Sequence, residues 1–141
     1  MYKRNYYSIL IALLPLFFGG LIYICYRSEN VLLFSWMRYF NINYTLLRLL
    51  NPKNNVFVQF IIFSLPNGLW VLSGLLLLQV LLINEKKLLF LYSIIFIIVS
   101  IVIEISQLYS LLSGTFDIID LITIIIFSGF GLYMSKLRRK T

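Results

Sequence analysis

The sequence predicts an all-α integral membrane protein, a bundle of four transmembrane helices with an external amphipathic interfacial segment. Of its 141 residues, 61% are hydrophobic and only 12% are charged, more apolar material than a soluble core of this size needs. The chain also contains four stretches that approach the roughly 20 apolar residues of a membrane-spanning helix. We therefore expect a single membrane domain over residues 1–141.

The apolar stretches place the spans at about residues 7–26, 66–84, 88–109 and 117–134. The second stretch already begins at Val56 but is interrupted by "SLPNG" around Pro66. Proline has no amide donor and disfavours helix in the residue before it, so we expect a short interfacial segment to be divided from the main span there. The short link between the last two spans predicts an antiparallel hairpin.

Basic residues at the borders of the spans predict the orientation, because Lys and Arg are retained on the cytoplasmic side. An even number of crossings then places both termini in the cytoplasm. The predicted cytoplasmic residues are Lys3, Arg4, Lys86, Lys87, Lys136, Arg138, Arg139 and Lys140. The first external loop is contrary, since it carries Arg27, Arg38, Arg48 and Lys53 against Glu29 alone.

The external loop contains a segment, residues 31–50, that is too polar to span but rich in aromatic residues and leucine. We expect a helix along the outer membrane surface, with a break at Asn41–Asn43. The alternative is a lid that packs over the bundle. A helix would place Ser35, Arg38, Thr45 and Arg48 on one face and supply apolar cover from Trp36, Tyr39, Phe40, Leu46 and Leu47.

Several kinds of chemistry are excluded by the composition. The chain has no histidine and one cysteine, so it lacks the commonest metal ligand, the usual neutral-pH base and any CxxC pair. No phosphate-binding glycine motif is present, and no cofactor is predicted. The net charge of +7 is spread over membrane borders, which favours contact with anionic lipid over a nucleic-acid partner.

Three of the five carboxylates lie around the last hairpin, which is unexpected in a chain with so few acids. Residues three apart share a helix face, so Glu104 pairs with Gln107 and Asp117 pairs with Asp120. The tight hairpin should bring these two faces together, with Asn67 at the same external level. The sequence therefore predicts a binding cluster of Asn67, Glu104, Gln107, Asp117 and Asp120 just inside the outer leaflet.

Acids inside a membrane cost about 2.5 to 3.5 kcal/mol each on insertion scales, so they need protons, partners or a cation. Structural roles compete with binding at each position. Asp117 can instead cap the fourth helix, and Asn67 can cap the second. Glu104 and Asp120 lie deeper, which favours a site over an interhelical hydrogen bond and makes them the candidate catalytic residues. Gln107 is expected to support the site, and Gly129 and Gly131 to allow close packing.

This pattern resembles the VanZ-like family of small bacterial membrane proteins, on Glu104, Gln107, Asp117, Asp120 and Gly131. The resemblance implies a multi-pass protein of the bacterial cytoplasmic membrane. The founding member of that family is associated with resistance to the glycopeptide teicoplanin. The family leads us to expect an arginine shortly before the first aspartate, where this chain has Ser113, Gly114 and Thr115. Without that counter-charge, the cluster should depend more on protonation or a bound cation.

Three functions remain open on the sequence alone. The leading hypothesis is a protein that binds a lipid headgroup, an envelope precursor or a cell-wall-directed compound at the polar cluster, through a protonated acid or a bridging Mg²⁺ or Ca²⁺. The second is an enzyme with Glu104 or Asp120 as general acid or base on a lipid-linked substrate. The third is an accessory subunit that docks on another membrane protein through its external loop.

Overall fold

The computed structural model describes residues 6–27, 32–49, 55–111 and 116–138. Within them the chain is helical with no strands, which confirms the predicted fold class. The five helices are α1 (Tyr6–Tyr26), α2 (Leu32–Tyr39), α3 (Val56–Leu81), α4 (Lys86–Leu108) and α5 (Ile118–Arg138). All except α2 are long and apolar enough to cross a membrane. The predicted border residues Lys3, Arg4, Glu29, Lys53, Arg139 and Lys140 lie outside the described residues.

Helix α3 forms the centre of the bundle, since α1 and α5 pack on it and α4 lies against both α3 and α5. Half of the apolar stretch of α3 is buried, against 11% of that of α1. Its buried side chains join two apolar groups. One group is Ala12, Leu72, Leu76 and Val80, between α1 and α3, and the other is Val71, Leu75 and Ile124, between α3 and α5. The remaining apolar faces are exposed, as expected for helices surrounded by lipid.

Small residues allow the helices to approach closely, a common device in membranes. A Cβ on Gly131 would lie 2.7 Å from Leu75 Cδ1, and one on Gly74 would lie 2.3 Å from Phe96 Cζ. The close-packing role predicted for Gly131 is therefore confirmed. It is wrong for Gly129, because a Cβ there would meet nothing within 4 Å.

The break predicted at "SLPNG" is wrong, because α3 continues through Pro66 from Val56 to Leu81. The helix widens into a π-helical turn over Phe60–Ser64, where the Leu65 amide donates to the Phe60 carbonyl five residues earlier. A proline ring in a regular helix clashes with the carbonyl four residues before it. The π-helical turn includes Ile62, the residue four positions before Pro66. The helix therefore accepts the proline and continues.

Helices α4 and α5 form the predicted antiparallel hairpin. The end of the bundle that contains the close of α1 and α4 and the start of α5 is called the cluster end below. The opposite end, called the lysine end, contains the link between α3 and α4 and the close of α5. Lys86, Lys87 and Lys136 all lie at the lysine end.

The segment expected to lie along the outer membrane surface is broken where predicted. Helix α2 ends at Tyr39, Asn41 adopts a positive φ of 54°, and the chain continues to a single 3-10 turn at Thr45–Leu47. The single polar helix face predicted for this segment is wrong, since Thr45 and Arg48 lie beyond the helix. The predicted apolar cover is exposed: Trp36, Tyr39, Phe40, Leu46 and Leu47.

The second half of the segment packs against the end of α1. Arg48 donates hydrogen bonds to the carbonyl oxygens of Ile24, at 3.3 Å, and Arg27. The Leu49 amide donates to the Cys25 carbonyl at 3.1 Å. The last carbonyls of a helix lack intrahelical donors, so this segment satisfies the end of α1.

Candidate functional site

Four of the five predicted cluster residues meet at the cluster end. Asn67 Nδ2, on α3, donates to Asp120 Oδ2, on α5, at 2.9 Å. The backbone amide of Asp117 donates to Glu104 Oε1, on α4, at 3.3 Å. Polar contacts at the cluster end thus join three helices that lie far apart in the sequence.

Asp117 caps α5, so the capping interpretation is confirmed. Its Oδ1 accepts from the Ile119 amide at 2.8 Å, and its carbonyl accepts from the amides of Asp120 and Leu121. The carboxylate lies where the partial positive charge of the helix dipole favours an anion. This role uses one carboxylate oxygen of Asp117 and leaves the residue part-exposed at the mouth of the cluster.

Asp120 is almost fully buried, with 4% of its surface exposed. It interacts with Asn67 and with the hydroxyl of Ser64, which is itself 2% exposed. Its other oxygen, Oδ1, is buried and has no hydrogen-bond partner among the described residues. A buried acceptor without a partner costs about 1 to 3 kcal/mol, so Asp120 is not explained by helix packing alone.

Glu104 is equally buried, at 4% exposed, but its contact is with the backbone. Its bond to the Asp117 amide links the end of α4 to the cap of α5 and so fixes the hairpin. Gln107 is not drawn into this network, because its side chain forms no hydrogen bond with the other four residues in the described part of the chain. The predicted supporting role of Gln107 therefore stays a prediction.

Beside the acids lies a cavity of about 300 Å³. Polar and apolar residues line it in similar numbers. They are Arg27, Val56, Gln59, Phe60, Phe63, Ser64, Asp117, Ile119 and Asp120. The cavity therefore lies between the end of α1, the first turns of α3 and the start of α5.

Arg27 supplies the positive charge of the site. Its guanidinium lies 5.6 Å from the centre of the Tyr23 ring and 5.5 Å from that of Phe63, distances at which cation–π attraction operates. It also lies within electrostatic range of Glu104 and Asp120. The site therefore combines acidic side chains with a cation from the end of α1.

Sequence reasoning missed the apolar lining of the cavity and three of its polar residues: Arg27, Gln59 and Ser64. Ser64 precedes Asn67 by three residues, so the helix-face spacing that paired the acids would have found it. Arg27 closes α1 at the same level as the cluster, and it was interpreted only as contrary to the orientation. Gln59 carried no signal, because a helical break was expected between it and Asn67.

The arrangement is suited to recognition of a polar group. It offers acidic side chains, one cation and neutral polar groups around one space that apolar residues also line. Within the described residues no three His, Cys, Asp or Glu side chains are grouped closely enough to hold a metal ion. No family model, curated protein or solved structure matches this chain.

Proposed function

We propose that this multi-pass membrane protein is a VanZ-like binding protein of the bacterial cytoplasmic membrane. Its ligand is a lipid headgroup, an envelope precursor or a cell-wall-directed compound, held in the cavity at the cluster end. The observation that carries the proposal is Asp120, a buried carboxylate beside that cavity with one oxygen left without a partner among the described residues.

The energetic cost of Asp120 supports a binding role. Ionisable groups in transmembrane helices are rare and mark sites of recognition or transport by default. Asn67 holds the carboxylate in place, with the buried Ser64 close by, but its bond does not use all of the acceptor capacity of Asp120. A ligand that donates a hydrogen bond to Asp120 would recover the cost.

The composition of the cavity supports an amphiphilic ligand. Phe60, Phe63 and Val56 form an apolar wall on α3, while Arg27 and the two aspartates provide charge. A headgroup attached to an acyl or prenyl chain has the same division between polar and apolar parts. The cavity lies at the ends of the helices, which is the level of headgroups in a bilayer.

The resemblance and the lysines support the rest of the proposal. Glu104, Asp117 and Asp120 are among the residues on which the chain resembles the VanZ-like family. By that resemblance, the proposed binding protein would take part in resistance to glycopeptides. The lysine end would face the cytoplasm by the positive-inside rule, with both termini on that side. The cavity would then open toward the outer leaflet.

The test is to fill the cavity. Ile119 lines the cavity, and its backbone amide donates to the Asp117 cap. Ile119→Trp keeps that amide and should fill the cavity with the larger side chain. Native mass spectrometry of the purified protein would measure binding of an equimolar mixture of phosphatidylethanolamine and phosphatidylglycerol with identical acyl chains. We expect one tightly bound lipid, weakened about tenfold or more in Ile119→Trp, because occupancy of the pocket is lost.

The matched control is Ile98→Trp, which adds the same ring to an exposed position of α4. It should bind lipid as the wild type does. Equal binding by all three proteins would mean that lipid contacts only the general apolar surface, and the proposal would be abandoned.

A further inference from the structure

The cavity carries charges of both signs, and this restricts the class of ligand. Resting on the function proposed above, we propose that the site selects a zwitterionic headgroup in which a phosphate ester is joined to a primary ammonium. The phosphate would lie against Arg27 and the ammonium against Asp117 and Asp120. Phosphatidylethanolamine is the simplest membrane lipid with this chemistry.

The first observation is that the opposite charges share the cavity without neutralising each other. Arg27, Asp117 and Asp120 all line it. In the described part of the chain, the Arg27 guanidinium has aromatic rings as its close contacts and forms no salt bridge with a carboxylate. The guanidinium and the two acidic side chains therefore line one space without pairing directly, and a dipolar ligand can fit between them.

The second observation is that Arg27 is held in a fixed position. Its guanidinium lies over the rings of Tyr23 and Phe63, and its backbone carbonyl accepts from Arg48. A planar guanidinium presents several N–H donors in a geometry that matches phosphate oxygens, and stacking on rings leaves its edge for such contacts. A fixed arginine loses little side-chain freedom on binding an anion.

The third observation is the unused acceptor capacity on the acidic side. Asp120 is 4% exposed and its Oδ1 has no partner among the described residues, while Asp117 uses Oδ1 for the cap of α5. A primary ammonium has three donors, so it can bind the part-exposed carboxylate of Asp117 in the cavity and face Asp120 beside it. A quaternary ammonium has none, and a glycerol headgroup has no positive charge.

Headgroup selection can be measured with three lipids that share the same acyl chains. The probes are phosphatidylethanolamine, phosphatidylglycerol and phosphatidylcholine, and binding to the full-length protein in mild detergent is again followed by native mass spectrometry. We expect phosphatidylethanolamine to bind about tenfold more tightly than either other lipid, since a charge-assisted hydrogen bond distinguishes it. Free phosphoethanolamine is added as a competitor, and displacement would assign the headgroup alone as the ligand, whereas no displacement would assign the whole lipid.

Two variants separate the charges. Asp117→Asn removes one negative charge and keeps a good helix cap, so it should reduce the preference for phosphatidylethanolamine to about threefold or less without unfolding the protein. Arg27→Gln should weaken the binding of all three lipids by similar factors, because each lipid carries the phosphate. The matched controls are Glu85→Gln, an exposed acid at the lysine end, and Arg38→Gln, an exposed arginine of α2.

The outcomes separate this inference from the proposed function. If binding is sensitive to Ile119→Trp but phosphatidylglycerol or phosphatidylcholine binds as tightly as phosphatidylethanolamine, the cavity is a lipid site and the zwitterion inference is wrong. If phosphatidylethanolamine is preferred and Asp117→Asn leaves the preference unchanged, the acidic side is not the ammonium site and the inference is also wrong. If the wild type and Ile119→Trp bind every lipid equally, lipid does not occupy the cavity, and both the inference and the proposed function are wrong.

Discussion

Two aspartates three residues apart on one helix perform different tasks. Asp117 accepts the Ile119 amide at 2.8 Å and begins α5, whereas Asp120, one turn later, is buried against Asn67. The difference follows from position, because only a residue at the start of a helix has free amides within reach. Asp120 therefore bonds to another helix, and its Oδ1 is buried without a partner among the described residues.

The cap makes a specific prediction at Asp117. Asp117→Ala should lower the free energy of unfolding by about 1 kcal/mol, because it leaves the Ile119 amide without its acceptor. Asp117→Asn should be close to neutral, since asparagine caps as well as aspartate does. Unfolding in mixed micelles with increasing dodecyl sulfate would measure both. Equal losses in the two variants would mean that the charge, and not the hydrogen bond, stabilises the start of α5.

At the scale of elements, the segment after α2 acts as the closing structure of α1. Arg48 reaches the carbonyls of Ile24 and Arg27, and its guanidinium lies 5.3 Å from the centre of the Phe34 ring. Phe34 is fully buried and packs against Tyr44, with 4.8 Å between ring centres and the rings tilted by 46°. The segment thus holds the backbone of Arg27, and with it one wall of the cavity.

Removing the Arg48 contacts should loosen this element. Arg48→Met keeps an apolar stem over Phe34 but cannot donate to the α1 carbonyls, so we expect a loss of about 1.5 kcal/mol or more. Hydrogen exchange of the peptide that contains Leu49 should also become faster, because its bond to Cys25 is no longer supported.

The matched control is Arg38→Met, in the same segment. Arg38 is an exposed residue that donates one part-buried bond, at 3.3 Å, to the Tyr44 hydroxyl and binds no helix carbonyl, so its replacement should change stability by about 0.5 kcal/mol or less. Similar losses in both variants would show that Arg48 has no special role at the end of α1.

Pro66 shows where local rules reach their limit within an element. The missing amide of proline correctly marks a departure from regular α-helix, and the departure lies in the turn just before it, Phe60–Ser64. Whether the chain breaks or widens depends on the surrounding packing. Ser64 and Pro66 are both buried in the bundle, and a continuous helix keeps their backbone groups bonded where water is scarce.

At the scale of the whole molecule, the spans and the cluster were predictable for a common reason. Apolar length identifies the helices, and a short hairpin forces the end of α4 against the start of α5, so Glu104 and Asp117 had to meet. Asn67 was predicted from a span expected to begin beside it, whereas α3 begins at Val56 and Asn67 reaches Asp120 from within the helix. Arg27 and the cavity were not predictable, because they depend on how α1 packs against α3 across long sequence separation.

The orientation of the whole bundle decides which ligands can reach the cavity. Lys86, Lys87 and Lys136 lie at the lysine end, while Arg27, Arg38 and Arg48 lie toward the cluster end. Of these arginines, Arg48 binds helix carbonyls and Arg27 is stacked on aromatic rings. Both therefore have structural tasks at the cluster end, which reduces the weight of the contrary charges in the external loop.

We therefore expect the lysine end to face the cytoplasm, and single cysteines can test it. Cys25 is the chain's only cysteine, so Cys25→Ser gives a cysteine-free background. Leu111→Cys, at an exposed position of the cluster end, should react with a membrane-impermeant maleimide in intact bacterial cells. Asn84→Cys, exposed between α3 and α4, should react only after the cells are opened. The reverse pattern would place the cavity on the cytoplasmic side, where inner-leaflet lipids remain available as ligands but externally supplied envelope-directed compounds do not.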